Sequence, residues 1–166
     1  MLISLNIDDV NTDNVLLGNK VENTIIQNSV FYRINYSTTN YSMNGIYICF
    51  SLKNVKIKIF YNKIKYDFSI KQNSEIIKKI IELENRLLKI NNIVNKNPKY
   101  TIKEQLENEN FKIFNSTTYY NCQNNNNYKY ANNNTNNSFI LKISGFWENH
   151  NEYGLTYKFI NYKDNN

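Results

Sequence analysis

Large apolar side chains recur at every second position in four successive segments of the first half of the chain. The segments are Val30–Tyr36, Ile46–Leu52, Val55–Tyr61 and Ile64–Ile70. A period of two places alternate side chains on opposite faces, so each segment predicts a strand with one buried face. The break at Tyr61-Asn62-Lys63 suits a tight hairpin because asparagine tolerates a positive φ. This half of the chain therefore predicts an antiparallel sheet.

The hydrophobic period then changes to that of a helix. Asn73 or Ser74 suits the N-cap, and Asn97-Pro98 suits the end because proline pushes the preceding residue out of the α region. We expect one long helix over residues 74–95, with lysines and glutamates on its outward side. Its apolar stripe consists of Ile76, Ile77, Ile80, Ile81, Leu83, Leu87, Leu88 and Ile90.

The second half predicts further strands around an asparagine-rich tract. Phe111–Tyr120 and the segments 139–147 and 153–160 read as strands, whereas Tyr100–Asn110 fits either a short strand or a helical turn. The tract 121–137 is too polar to offset the entropy of ordering it, so we expect a flexible loop there. We expect a polar tail over 161–166. The whole chain, 1–166, predicts a single domain that is mostly β (α+β) with one long α-helix.

The N-terminal part shows no clear period, although Met1–Ile7 suits a short strand. It lacks the basic region and apolar run of a signal peptide, and no stretch of the chain is apolar over the length of a bilayer. Cys49 and Cys122 are the two cysteines. Two distant cysteines favour unpaired thiols in a reducing compartment. We therefore expect a soluble intracellular protein without a membrane partner.

Composition points toward a polyanionic partner. The chain has a net charge of +6, from 20 basic and 14 acidic residues, and 14% of its residues are aromatic. A basic balance with many rings is typical of nucleic-acid-binding proteins. An A+T-rich genome would enrich lysine, tyrosine and phenylalanine as well, because their codons are rich in A and T. Only the placement of these residues on the strands therefore bears on function.

Placement on the strands separates a core face from a basic, aromatic face. Cations neutralise phosphates and exposed rings stack on bases, so such a face suits single-stranded nucleic acid. Strict alternation puts Phe31 on this face and would leave Trp147, the only tryptophan, on the buried side. The competing interpretation is ordinary surface charge with the rings packed under the helix or a loop. The predicted nucleic-acid-binding residues are Arg33, Tyr47, Lys56, Lys58, Phe60, Lys65, Lys142, Phe146, Trp147 and Lys158.

Motifs for catalysis or metal binding are missing from the sequence. His150 is the only histidine, and its acidic neighbours Glu148 and Glu152 come without any Cys/His spacing. There is no glycine-rich phosphate loop, nucleophile elbow or H-E-x-x-H motif. We expect no enzymatic activity, no catalytic or metal-binding residues and no cofactor.

The closing segment Ile140–Phe159 reads ILKISGFWENHNEYGLTYKF. Its pattern is Lys142–Gly145, the pair Phe146-Trp147 and then Tyr153–Lys158. It resembles the C-terminal strands of the OB-fold single-stranded-DNA-binding proteins of large nucleocytoplasmic DNA viruses, relatives of phage replication proteins. The chain departs from that family at its end, which lacks an acidic, aromatic-tipped tail.

The resemblance implies an OB-like antiparallel barrel or curved sheet. It also implies coating of single-stranded DNA during viral DNA replication, without sequence preference and without a metal. The location implied is the host nucleus or a cytoplasmic virus factory. Replication proteins and a second copy of the chain are further candidate partners.

Two other functions fit the sequence. The first is a structural or protein-interaction β-domain of a virion or replication complex, in which the helix 74–95 exposes its apolar stripe to a partner. Salt-sensitive binding of oligo-dT would separate this function from DNA binding. The second is RNA binding on the same face, which only competition between RNA and DNA would separate, because no reader of the 2′-hydroxyl is evident.

Overall fold

A computed structural model describes residues 3–60, 63–90, 93, 95–114 and 137–162 of the chain. Within these residues the protein is mostly β, with two helices of which one is long. The expected fold class is therefore confirmed in the form of curved sheets, which do not close into a barrel over the described residues.

The strands range in length from two residues to twelve. The 3₁₀ turns Ile7–Asp9 and Thr12–Asn14 connect the first two strands. The helices are α1 (Ile70–Ile90) and α2 (Thr101–Glu107). The strands are β1 (Leu5–Asn6), β2 (Val15–Glu22), β3 (Val30–Ser37), β4 (Ser42–Asn44), β5 (Ile46–Leu52), β6 (Lys56–Phe60), β7 (Lys63–Asp67), β8 (Asn97–Lys99), β9 (Asn110–Phe114), β10 (Asn137–Glu148) and β11 (Glu152–Asn161).

Strand β10 is the axis of an eight-stranded sheet, the large sheet. It runs antiparallel to β11 on one side, and on the other side it pairs first with β5, over 137–143, and then with β3, over 145–148. Strands β2 and β4 extend the sheet from β3, while β1 and β8 join β5 and β11 in parallel pairs. Strands β3 and β5, which are close in sequence, thus pair with successive parts of one distant strand.

A β-bulge at Ser144 marks the change of partner. Ile143 opposes Tyr157 and Gly145 opposes Thr156, so Ser144 is an extra residue on β10. An extra residue reverses the face toward which all later side chains point. The β10 residues that point into the core cluster are therefore Phe139, Leu141, Ile143 and Phe146, while Ile140 is buried on the other side.

Strands β6, β7 and β9 form a separate three-stranded sheet, the small sheet. Its inner face packs on the inner face of the large sheet through buried rings. The ring centroid of Phe111 lies 4.3 Å from that of Phe159 and 4.9 Å from that of Phe139. Tyr66 lies 5.0 Å from Phe139, edge to face, a favoured geometry for aromatic pairs. Because the inner faces meet, the outer faces of the two sheets point away from each other.

The long helix α1 packs its apolar stripe on the same core. Asn73 lies at a non-helical position inside it (φ −122°, ψ 18°) and is buried. Its Oδ1 accepts from the Lys53 N–H at 2.8 Å and its Nδ2 donates to the Lys53 carbonyl at 3.2 Å. Asn73 therefore fastens the helix to the β5–β6 turn. The buried residues of the stripe are Ile77, Ile80, Leu83, Leu87 and Leu88.

The predicted start coincides with a break at Asn73 inside this helix, whereas the predicted end is wrong. It begins at Ile70, before the predicted cap at Asn73 or Ser74, and the Ile70 N–H donates to Glu109 Oε1 at 2.8 Å. That carboxylate satisfies one of the N–H groups that a helix start leaves unpaired. The helix ends at Ile90, so Asn97-Pro98 does not stop it, and Pro98 lies in β8.

A buried carboxylate joins the two helices. Glu84 of α1 accepts from the N–H groups of Ile102 at 2.9 Å and Lys103 at 2.8 Å, in the first turn of α2. Burial raises the pKa of Glu84, and these two backbone hydrogen bonds oppose the rise. The Tyr157 hydroxyl donates a hydrogen bond to the Thr101 carbonyl oxygen at 3.0 Å, and burial raises the pKa of Tyr157 to about 12. The segment Tyr100–Asn110, whose sequence fits either a short strand or a helical turn, is helical over Thr101–Glu107.

The predicted polar segments overlap the described residues only in part. Asn137, placed in the loop 121–137, is the first residue of β10, and Asn161, placed in the tail 161–166, is the last of β11. The rest of the loop, Cys122 and residues 163–166 lie outside the described residues. Strands β2, β4 and β8 were not predicted, since none has a clear period. Neither described helix has the length and apolarity that crossing a membrane requires.

Candidate nucleic-acid interface

Nine of the ten predicted binding residues lie on the outer faces of the two sheets. The outer face of the large sheet, here the tryptophan face, carries Phe31, Arg33, Tyr47, Lys142, Trp147 and Lys158. The outer face of the small sheet, here the lysine face, carries Lys56, Lys58, Phe60, Lys63, Lys65, Lys112 and Phe114. Because the sheets pack through their inner faces, the prediction of one continuous face is wrong.

Phe146 belongs to neither face. It is fully buried in the core, so the prediction that it points outward is wrong. The bulge at Ser144 is the reason, since it reverses the alternation beyond that point. The same reversal moves Trp147 to the outer face, where it opposes Phe31 on β3 and Gly154 on β11.

Two aromatic rings of the tryptophan face lie directly on glycine backbone. A Cβ atom at Gly145 would lie 2.4 Å from Cζ of Phe31, and one at Gly154 would lie 3.0 Å from three atoms of the Trp147 indole. Neither ring could approach the strand so closely if these positions carried side chains. The two rings therefore lie against the sheet, and their other sides face a groove.

The groove over these rings has a volume of about 610 Å³. Phe31 and Trp147 form an apolar floor, Arg33 adds a cation, and the loop 23–29 between β2 and β3 supplies one wall. The Asn23 side chain braces that loop by accepting two backbone hydrogen bonds, at 3.0 and 3.2 Å. Sites of this size and apolar lining hold small flat ligands, so the groove has room for a nucleobase.

A row of charge continues the tryptophan face beyond the rings. Tyr47 on β5 opposes Lys142 on β10, which in turn opposes Lys158 on β11. The Lys142 Nζ lies 4.8 Å from the centroid of the Tyr47 ring, a cation–π contact. Two like charges side by side are unfavourable across a strand pair. A phosphate bound between Lys142 and Lys158 would relieve that repulsion.

Cross-strand register arranges the lysine face in rows. Phe114 is 72% exposed and Phe60 is 39% exposed. The Lys63 Nζ lies 6.0 Å from the centroid of the Phe114 ring. Exposed rings beside a row of cations suit bases and phosphates together. The first row is Lys58, Lys65 and Lys112, and the next is Phe60, Lys63 and Phe114.

One acid lies within the lysine face. Asp67 Oδ2 is 2.8 Å from Lys58 Nζ, and Asp67 Oδ1 is 2.8 Å from Lys65 Nζ. Burial raises the pKa of Asp67, but the hydrogen bonds from the two lysines outweigh that effect and leave the pKa lowered. Asp67 thus holds these two lysines and would compete with a phosphate for them.

Sequence reasoning missed three residues of the lysine face. Alternation within Asn110–Phe114 puts Lys112 and Phe114 on the side opposite Phe111, so that signal was present in the sequence. Lys63 was assigned to the hairpin turn, whereas it is the first residue of β7. Register across the three strands then brings it between the rings of Phe60 and Phe114.

The apolar stripe of α1 does not form a docking surface. Its central residues are buried in the core, so the prediction of an exposed stripe on the helix 74–95 is wrong. His150 is exposed in the turn between β10 and β11. In the part of the chain that the structure describes, no three His, Cys, Asp or Glu residues cluster so as to hold a metal ion.

No protein-family model, curated protein or solved structure matches this chain.

Proposed function

We propose that this protein binds single-stranded DNA without sequence preference and catalyses no reaction, in support of DNA replication. The observation that carries the proposal is the pair of rings, Phe31 and Trp147, lying on Gly145 and Gly154 beside the Arg33 guanidinium. Rings held against a sheet stack on any base, because every base has a π face. Stacking of bases on these two rings would therefore not depend on the base sequence.

Phosphate contacts come from the charged part of the same face. Lys142 and Lys158 lie on the strands that carry the two glycines, and Arg33 lies opposite Gly145. A strand whose bases stack over the groove would thus have its phosphates near these three cations. The resemblance of Ile140–Phe159 to viral single-stranded-DNA-binding proteins agrees with this assignment, since β10 and β11 form the middle of the tryptophan face. It also supports a place in the replication of a DNA virus with an A+T-rich genome.

Trp147 makes the proposal testable, because it is the only tryptophan in the chain. The experiment titrates labelled oligo-dT against the protein at low and moderate salt, with anisotropy and tryptophan fluorescence recorded together and duplex DNA as competitor. We expect salt-sensitive binding with quenching of Trp147 and little competition from the duplex. Binding without quenching would move the site to the lysine face, and no binding at low salt would reject the proposal.

A protein-interaction domain is the second candidate function. Strand β2 pairs only with β3 among the described strands, and it carries the exposed apolar residues Leu16 and Val21. Ile25, in the adjacent loop, is 84% exposed. Exposed apolar side chains beside an open strand edge are typical of protein-binding surfaces. Failure to bind oligo-dT at any salt concentration would favour this function.

RNA is a further ligand that the same face would accept, since stacking and phosphate contacts do not distinguish the two sugars. Competition of oligo-U against labelled oligo-dT decides between them. A preference for DNA is expected if the face supports replication.

A further inference from the structure

We propose that the lysine face is a second, independent site for single-stranded nucleic acid, so that one molecule holds two strand segments on opposite sides of the fold. This inference rests on the proposed function for the class of ligand. It goes beyond that function because it assigns a bridging activity to the monomer.

The packing of the two sheets places the sites on opposite sides. The rings of Tyr66 and Phe111, on the inner face of the small sheet, contact Phe139 and Phe159, on the inner face of the large sheet. Packed sheets lie about 10 Å apart, with side chains filling the space between them. A strand segment lying on one outer face therefore cannot touch the other outer face.

The lysine face has what a separate site needs. Five lysines and one aspartate give it a net charge of +4, taken as five minus one. Two rings, Phe60 and Phe114, are exposed at its edge with Lys63 between them. Phosphates attract the cations, and the exposed rings offer stacking surfaces.

In the unbound protein, the two faces also differ in the ion pairs that their cations form. Lys58 and Lys65 are both held by Asp67. Among the described residues Arg33 has no acidic partner within ion-pair distance, and it is exposed on the groove side of the sheet. A phosphate bound at Lys58 and Lys65 competes with Asp67 for them, so we expect that site to be the weaker of the two.

Native mass spectrometry with oligo-dT of about five nucleotides tests the inference, because an oligonucleotide of that length is near the smallest site that one face would occupy. The number of oligonucleotides bound per chain is counted directly, so that a dimer with one site per chain is not mistaken for a monomer with two. A surface assay completes it, in which protein captured on immobilised oligo-dT recruits a second, labelled oligo-dT from solution.

Three variants distinguish the possible results of these experiments. The first removes lysine-face charge (Lys58→Gln, Lys65→Gln, Lys112→Gln), and the second removes the platform rings (Phe31→Ala, Trp147→Ala). The third is a matched control that removes the same charge from exposed positions of α1 (Lys71→Gln, Lys78→Gln, Lys89→Gln). A thermal melt of each confirms that it is folded.

We expect two oligonucleotides per chain for the unmodified protein and the control, and one for each face variant. Recruitment of the second oligonucleotide should fall at least tenfold in both face variants. One oligonucleotide per chain in the unmodified protein, or a lysine-face variant that behaves like the control, would overturn the inference while leaving the proposed function intact. Failure of any oligonucleotide to bind would instead reject the proposed function, and the inference with it.

Discussion

The two outer faces reach similar chemistry by different means. The tryptophan face draws its residues from β3, β5, β10 and β11, which span most of the chain, and its rings depend on a bulge at Ser144 and on two glycines. The lysine face comes from one hairpin and one further strand, and plain alternation places its lysines. A charged side chain therefore needs only an outward position on a strand, whereas a ring that lies against the backbone needs a glycine beneath it.

The difference also concerns tolerance to change. The contacts of an outer-face lysine are ion pairs or ring contacts at the surface, so its replacement alters the charge and leaves the core packing unchanged. A glycine beneath a ring has no room for a side chain, because the ring lies directly against it. We therefore expect substitutions of Gly145, Gly154 and the rings above them to affect both stability and binding, and substitutions of the lysine-face lysines to affect mainly binding.

Replacing Gly145 is the strongest way to break this comparison. A Cβ atom there would lie 2.3 Å from the Tyr32 carbonyl oxygen and 2.4 Å from the Phe31 ring. We expect Gly145→Ala to lower the free energy of unfolding by about 3 kcal/mol, because backbone and ring must both shift. Gly18→Ala is the matched control, since its Cβ would meet Arg33 at an ordinary 3.5 Å. Denaturant unfolding measures both, and equal effects would contradict the assigned role of Gly145.

Removing the indole ring tests the platform itself. We expect Trp147→Ala to weaken binding of oligo-dT by about 1–3 kcal/mol, or roughly fivefold to 150-fold, because one stacking surface is lost. Phe114→Ala, on the lysine face, is the comparison variant and should weaken the stronger binding step far less. Anisotropy titrations at one salt concentration give both values. A larger loss for Phe114→Ala would reverse the ranking of the two faces.

Paired lysine substitutions compare the charges of the two faces. Lys142→Gln with Lys158→Gln should flatten the dependence of log K on log salt by about 1.4, from about 0.7 for each phosphate contact on a single strand. Lys56→Gln with Lys58→Gln should flatten the slope of the weaker step by a similar amount, on all sequences tested. Titrations at four or more salt concentrations provide the slopes. An unchanged slope in either pair would remove that pair from the interface.

Asp67→Asn should have the smallest effect and the opposite sign. It releases Lys58 and Lys65, so we expect binding at the lysine face to tighten by about 0.5 kcal/mol, roughly twofold. Native mass spectrometry at limiting oligo-dT would detect the change. Weaker binding would mean that Asp67 positions the lysines for the phosphate.

The same variant has a pH signature. The pKa of Asp67 is lowered in the folded protein, so its contribution to stability is present above the unfolded pKa near 3.8 and is lost as the pH falls through the lowered value. The difference in melting temperature between the unmodified protein and Asp67→Asn should therefore shrink as the pH drops below 4. A difference that grows with acidity would contradict this account of the ion pairs.

Local pattern predicted much of the fold. Strands β3, β5, β6, β7, β9, β10 and β11 and the body of α1 follow from period-two and helical spacing. The start of α1 did not, because it depends on Glu109, which is distant in sequence. Strands β2, β4 and β8 also escaped prediction, since pairing with a neighbour rather than their own period makes them strands.

The candidate site was predictable in its chemistry and not in its geometry. Lys56, Lys58 and Lys65 were assigned to an outward face by alternation alone, and the structure places them there. Strict alternation puts Phe146 and Trp147 on the sides opposite those they occupy, because alternation takes no account of the bulge at Ser144; Trp147 is nevertheless one of the predicted binding residues. What Gly145 and Gly154 accommodate is visible only once β3 and β11 lie beside β10.

The sequence by itself determined the class of the protein, the side on which most strand residues lie, and its basic, aromatic character. These properties depend on neighbours along the chain, within reach of one strand or one helical turn. Only the tertiary structure decided that the strands form two sheets, that β10 changes partner at a bulge, and that the cations divide between two opposed faces. Those properties depend on pairings between distant segments. The energy of such a pairing depends on the residues of both segments, so it cannot be inferred from either segment alone.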